Sequence, residues 1–148
     1  MLRHAVTSIE PARPDDLVAV MALLAELHLP ADGLRDHLPT TLVAREDDRI
    51  VGSAAIEMYA DGALLRSVAV APACQGRGLG RRLALAAIQR AHESGAAAIY
   101  LLTTTAERYF PKLGFAPITR DEVPATVQRS IEFTSACPSS AIVMRKRL

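Results

Sequence analysis

Hydrophobic positions recur along the chain with two periods. After a short alternating stretch over residues 6–11, Arg13-Pro14-Asp15-Asp16 opens a segment whose apolar positions Leu17, Val20, Met21, Leu24 and Leu27 follow helical spacing, with Asp15 or Asp16 placed to cap it. Residues 28–33 (His28-Leu29-Pro30-Ala31-Asp32-Gly33) break that helix, and residues 34–38 predict a short second one. Residues 40–44 and Arg49–Tyr59 then read as strands around the polar turn Arg45-Glu46-Asp47-Asp48. Asp61-Gly62 supplies another hairpin turn before the apolar run 64–70, interrupted only by Arg66-Ser67. A glycine-rich loop follows over residues 72–80. Behind it the pattern predicts a helix over 81–94, with Leu83, Ala86, Ala87, Ile88 and Ala91 on its buried face and Gly95 as its stop. Ala98–Thr103 reads as a buried strand. Thr104-Thr105 can cap a helix over 106–113, which Pro111 predicts to be kinked or irregular because it lacks an N–H. The remainder holds two strands separated by residues 121–130, with 141–145 the clearer.

No repeat or linker divides these elements, and 148 residues fit a single domain spanning 1–148. Half the residues are hydrophobic, which permits a packed core without staples and excludes disorder. Seventeen Lys and Arg nearly cancel sixteen Asp and Glu, so the charge excess that a nucleic-acid partner requires is missing. No apolar run reaches the ~18 residues of a membrane span, and Met1-Leu2-Arg3-His4 carries no signal-peptide core. Cys74 and Cys137 have no metal-ligand spacing, nor do His4, His28, His37 and His92, so no metal is expected. Together these features predict a soluble cytoplasmic protein without nucleic-acid or membrane partners.

Strand, glycine loop, helix is an arrangement that binds phosphate groups, because glycines let the backbone approach the ligand and a helix N-terminus offers unpaired N–H groups. Gly76, Gly78 and Gly80 alternate in the loop, with Arg77, Arg81 and Arg82 beside them. A P-loop is excluded because no lysine follows Gly80. A dinucleotide fingerprint fits poorly: the third glycine falls one residue early, and a hairpin rather than a βαβ unit surrounds the loop. The third pattern, Gln/Arg-x-x-Gly-x-Gly/Ala, is matched in full by Gln75-Gly76-Arg77-Gly78-Leu79-Gly80. A purely structural glycine turn is the alternative.

With this loop the chain resembles the GNAT superfamily of acetyl-CoA-dependent N-acetyltransferases. The resemblance includes the opening Arg13-Pro14-Asp15-Asp16-Leu17, the strand end Val68-Ala69-Val70-Ala71-Pro72 and the Leu113-Gly114-Phe115 group. Leu65-Arg66-Ser67 and Leu101-Leu102-Thr103-Thr104-Thr105-Ala106-Glu107 look like amino-acid N-acetyltransferases of the N-acetylglutamate-synthase type. Those segments, with Phe133-Thr134-Ser135-Ala136-Cys137-Pro138-Ser139-Ser140-Ala141, are also similar to small GNAT proteins named for arsenic-resistance operons. The resemblance implies an α/β GNAT fold: a mixed, mainly antiparallel sheet flanked by helices and opened into a V at the cofactor site. It implies that Val68, Ala69 and Val70 hold the pantetheine arm of acetyl-CoA, that the amides from Gly76 to Arg81 hold the pyrophosphate with Gln75 alongside, and that Thr103 and Thr104 line the opening. The acceptor is then a small-molecule amine, an amino acid or an amino-acid-like toxin, attacked directly in a ternary complex. A homodimer is compatible with the resemblance.

Acetyl transfer to an amine also calls for a base and for an acid at the departing thiolate. Many GNAT enzymes place a tyrosine four residues before the glycine of Leu-Gly-Phe; here Phe110 stands there, and Tyr109 beside it is either the acid or a packing residue. Glu57, near the end of an otherwise apolar strand, is either the base at the cleft or an exposed strand-end carboxylate. Arg66, with Ser67 next to it, interrupts a buried strand; it binds a substrate carboxylate or pairs internally with Glu57, and both can hold at different stages. Cys137 either touches the acceptor or packs, and His28 with the loop through Gly33 can border the acceptor pocket. Two other functions fit the same residues: an idle acyl-CoA-binding sensor, and an arsenical-binding protein relying on Cys74 and Cys137.

Overall fold

The computed structural model describes residues 7–148; Val6, at the start of the first expected strand, and His4 lie outside the described residues. The chain forms a seven-stranded sheet flanked by helices. In chain order the elements are β1 (Ser8–Pro11), α1 (Leu17–Glu26), β2 (Thr41–Glu46), β3 (Arg49–Tyr59), β4 (Gly62–Val70), α2 (Leu79–Glu93), β5 (Ala98–Thr103), β6 (Ala116–Ile118) and β7 (Ile142–Arg147). The spatial order is β1-β2-β3-β4-β5-β7-β6. Every neighbouring pair is antiparallel except β4 and β5. Among the described residues no helix is long and apolar enough to cross a membrane.

Local chemistry explains most boundaries. Asp47 and Asp48 both adopt left-handed φ (48° and 64°), the geometry of a tight two-residue hairpin, so β2 runs on through Arg45 and Glu46, beyond the end expected at residue 44. Residues 106–113 do not form an α-helix: only Phe110–Leu113 closes, as a 3₁₀ turn around Pro111. The tail between β6 and β7 consists of short turns and one wide turn, Glu132–Ala136, with π-type bonding.

The core lies on both faces of the sheet. Leu79, Leu83, Ala84, Ala87, Ile88 and Ala91 of α2 cover one face. On the other, Leu17, Val20, Leu23 and Leu24 of α1 pack over one half, and Val123 and Val127 of the tail over the other. Met21, expected in the buried stripe of α1, is 40% exposed, and Leu23 takes its place.

Two features of β4 build the site. Its register against β3 shifts between Ser53 and Ala55, so Ser67 and Val68 together face Ala54, and Ser67 adopts φ 57°. This is a β-bulge, held by the Ser53 hydroxyl donating to the Ser67 carbonyl at 2.7 Å. The extra residue reverses the side-chain alternation: Ala63 and Leu65 face α2, and beyond the bulge Val68 and Val70 face α2 as well. The second feature is a splay. β4 pairs with β5 only at Ala63↔Ile99 and Leu64↔Tyr100, after which the two strands part.

Candidate functional site

The parted strands open a cleft of about 960 Å³ running from the glycine loop, between β4 and β5, to the loop after α1. At one end Gly78 precedes α2 with φ 75°, and Gly76 has φ 83°, conformations that favour glycine. A side chain on either would meet no atom within 4 Å, so the loop surface is open. The first helix-type bond joins the Arg82 amide to the Gly78 carbonyl, and the six amides from Gly76 to Arg81 find no acceptor among the described residues. Six N–H groups at a helix start, with Arg81 also lining the cleft and Arg77 turned to Glu46, are donors of the kind that suits an anionic group. Gln75 donates through Nε2 to the Val70 carbonyl at 2.9 Å.

Along the middle of the cleft, Val68 and Val70 contribute lining, while Ala69 turns its methyl into the core beneath α1. The Ala71 amide bonds to Val51 of β3, so by strand alternation the amides of Val68 and Val70 point the other way, into the splay. Thr103 and Thr104 line the opposite wall; the Thr103 hydroxyl accepts the Ala106 amide at 2.9 Å, which fixes the turn after β5. Because residues 106–113 turn irregularly, Tyr109 and Phe110 both reach the cleft. The Tyr109 hydroxyl lies 3.9 Å from the point where a side chain on Gly80 would begin, and burial holds its pKa above the ordinary 10.

Glu57 is arranged differently from a cleft-edge base, and Arg66, which lines the cleft, is paired with it. Both side chains are wholly buried, with Nη1 of Arg66 2.9 Å from Oε2 of Glu57. Arg66 also donates to the carbonyls of Asp32 (2.6 Å) and Pro30 (3.3 Å) and to the Ser67 hydroxyl (3.1 Å). Glu57 accepts from the Tyr59 hydroxyl, and Nε2 of His37 lies 3.7 Å away. Burial pushes the Glu57 carboxyl up, but hydrogen bonds from Ser130, Tyr59 and Arg66 and the charge of His37 outweigh it and hold the carboxyl below its usual range. A carboxylate so committed, and absent from the cleft wall, is in no position to collect a proton from a bound amine. The internal ion pair, one of the two sequence readings of Arg66, is what forms. Its consequence is structural: Arg66 straps the loop after α1 to the bulged strand, and that loop (His28, Leu29, Pro30) walls part of the cleft.

Ser67 and the wide turn of the tail also line the cleft, the turn contributing Glu132, Ala136 and, just beyond it, Cys137 and Pro138. Cys137 is half-buried against the cleft; burial and the neighbouring Glu132 push its thiol up to about 12. Cys74 is buried, 7% exposed, with its sulfur 3.9 Å from Glu46. Glu132 had no marker in the sequence, since its segment follows neither helical nor strand periodicity.

Comparison with known proteins agrees with this geometry. Residues 7–115 match the sequence profile of the Acetyltransferase (GNAT) family. An amino-acid acetyltransferase of Neisseria meningitidis serogroup B is 28% identical over 153 residues, covering 97% of this chain and 35% of the relative. One from Ralstonia nicotianae is 31% identical over 127 residues, covering 78% of this chain and 28% of the relative. The chain therefore spans about a third of the length of these relatives. N-acetylglutamate synthase from Neisseria gonorrhoeae, complexed with coenzyme A and N-acetyl-glutamate, superimposes with a TM-score of 0.83 at 25% identity, covering 99% of this chain and 36% of that one. Rv2747 from Mycobacterium tuberculosis, in complex with CoA and NLQ, shares the fold with a TM-score of 0.81 at 24% identity, covering 95% and 99% of the two chains.

Proposed function

The chain belongs to the acetyltransferase (GNAT) family, and on that premise we propose that it moves an acetyl group from acetyl-CoA to the amine of a small, amino-acid-like molecule by direct attack in a ternary complex. The observation that carries the reading is the row of six unpartnered amides, Gly76 to Arg81, at the mouth of two parted strands. Open glycine surface and unsatisfied donors fit the pyrophosphate of coenzyme A. The splay offers the amides of Val68 and Val70 to its pantetheine arm. Bound acetyl-CoA supplies the activated thioester.

The chain's own residues supply position and proton traffic. Holding two reactants in one cleft converts a bimolecular encounter into an intramolecular one, a large contribution open to this site. Tyr109 keeps its proton at neutral pH and stands on the cleft wall beside Gly80, as a donor to the departing thiolate must. Arg66 shapes the acceptor end by holding Pro30 and Asp32 in place. The names of the relatives favour an amino acid as acceptor. An arsenical-capturing role draws no support from Cys137: a thiol pushed up to about 12 is not a thiolate at neutral pH, and thiolates are what bind soft metals and metalloids.

The test is calorimetric binding of coenzyme A together with release of its thiol from acetyl-CoA over a panel of L-amino acids that includes L-glutamate. Acetylation of at least one primary amine above the rate of acetyl-CoA hydrolysis is expected. Tight coenzyme binding with no turnover of any amine would make the protein a sensor instead.

A further inference from the structure

Glu132 is the sole carboxylate among the described residues lining the cleft. It opens the wide turn Glu132–Ala136 and is only 6% exposed. The turn is well anchored: the Glu132 amide donates to the Ser130 hydroxyl at 3.1 Å, and the Cys137 amide donates to the Glu132 carbonyl at 3.2 Å. The side chain is not. One carboxylate oxygen accepts a weak bond from the Cys137 thiol at 3.6 Å, and the other accepts from no described residue. Arg66 faces it from β4, but that guanidinium is already committed to Glu57 and to the Asp32 and Pro30 carbonyls. Glu57 from β3 and Asp32 from the loop face it with like charge, and His28 shares its cleft. With Arg66 shared among other partners, the Glu132 oxygen that no described residue serves is left open to solvent. It sits at the end of the cleft where the amine of an acceptor must enter.

We propose that Glu132 binds the ammonium group of the acceptor and removes its proton. The proposal rests on the transferase reading above. The ammonium N–H bond breaks and its proton passes to the carboxylate. The freed nitrogen pair forms the new C–N bond at the thioester carbonyl, and the C–S bond breaks with its electron pair on sulfur. The nitrogen's second proton is released as the amide forms, and the thiolate is protonated to the thiol. Burial keeps the Glu132 carboxyl above the ordinary carboxylate range, helped by Glu57 and Asp32 and opposed by Arg66 and the Cys137 bond, which moves it toward the pH at which a base works best.

The experiment measures kcat/KM for whichever L-amino acid of the panel is acetylated, from pH 5.5 to 9.5, in the wild type and in E132Q, with coenzyme A affinity as the check on folding. General-base catalysis contributes about 10²–10⁴-fold, so E132Q should lose at least 10²-fold at pH 7 with its coenzyme affinity within threefold of wild type. The deficit should shrink as pH rises toward the amine's own pKa, where solution supplies the neutral amine. E132Q activity within threefold of wild type at pH 7, or a deficit that does not change with pH, overturns the proposal. Should E132Q fail to fold, the wild-type profile decides. A plateau well below the amine's pKa supports Glu132, and a tenfold climb per pH unit up to that pKa overturns it. Absence of turnover with every amine overturns the transferase reading and this one together, whereas turnover retained in E132Q overturns only the role of Glu132.

Discussion

Nη1 of Arg66 lies 2.9 Å from Oε2 of Glu57, and neither side chain is exposed. Removing one partner from such a pair strands the other charge, a loss of about 3–5 kcal/mol. The same guanidinium holds the loop that walls the acceptor end. Arg66→Ala should therefore lower stability by about that amount and raise the acceptor KM far more than the coenzyme dissociation constant. Chemical denaturation and steady-state kinetics at a temperature where the variant is folded measure the two effects. A variant that loses coenzyme binding while its acceptor KM is unchanged would assign Arg66 to the wrong half of the cleft.

Gly78→Glu tests the phosphate seat. Its φ of 75° disfavours any side chain by about 1–2 kcal/mol, and the new carboxylate would stand among the amides that the proposed function gives to the diphosphate. Coenzyme A affinity should fall by more than tenfold, with little change in the acceptor pocket some distance along the cleft. Titration calorimetry reads this directly, and unaltered affinity would displace the coenzyme from the loop.

Tyr109→Phe removes one oxygen at the cleft wall. A loss in kcat of roughly 10²-fold or more, at unchanged coenzyme affinity, is expected if the hydroxyl protonates the leaving thiolate. The edge-on packing against Phe110, 5.3 Å between ring centroids, survives the change, so stability should hold within about 0.5 kcal/mol. An unaffected kcat leaves the thiolate to solvent.

Those three variants fall on residues that the sequence singles out, and the reason is physical. Alternating glycines before a helix, and a charge inside an apolar strand, violate the local pattern and so announce themselves. Strands marked by period-two runs, such as Ala98–Thr103, are legible for the same reason. What escaped the sequence depends on register and on tertiary packing. The bulge at Ser67 carries no glycine to mark its left-handed φ, yet it decides that Val68 and Val70 share a face with Leu65. An α-helix over 106–113 would turn Tyr109 about 100° away from Phe110; Tyr109 instead stands before the turn Phe110–Leu113, outside any regular helix, and both residues line the cleft. Glu57 looks like a strand-end carboxylate until His37, Tyr59, Arg66 and Ser130 close around it. Glu132 sits in a tail segment that no periodicity describes.

Glu57 and Glu132 respond oppositely to pH. The Glu57 carboxyl is held below its usual range, so its stabilisation is present above the unfolded pKa and disappears as pH falls through the folded value. The Glu132 carboxyl is raised, so the folded state binds the extra proton and stability declines as pH climbs through that window. E132Q, which mimics the protonated form, should raise Tm at pH 7.5 and leave it unchanged near pH 3.5. Thermal unfolding at the two pH values measures it. A lower Tm at pH 7.5 would mean that the ionised carboxylate stabilises the fold.

Cys137 reports on the same carboxylate from the other side. With its thiol pushed up to about 12, about one molecule in 10⁴ carries the thiolate at pH 8, against roughly a quarter for an unperturbed thiol. Alkylation of Cys137 by iodoacetamide should therefore be at least 10²-fold slower than that of a free cysteine peptide, even though the residue lines an open cleft. Burial is the main cause of the shift, and the charge and hydrogen bond of Glu132 come next. E132Q should accordingly speed the reaction without restoring the rate of the peptide. The modified site is read by mass spectrometry of the peptide that contains Cys137, which separates it from Cys74. A fast rate in the wild type would place the thiolate in the cleft and return soft-metalloid binding to consideration. A rate indifferent to E132Q would mean that the 3.6 Å contact between the two side chains does not persist in solution.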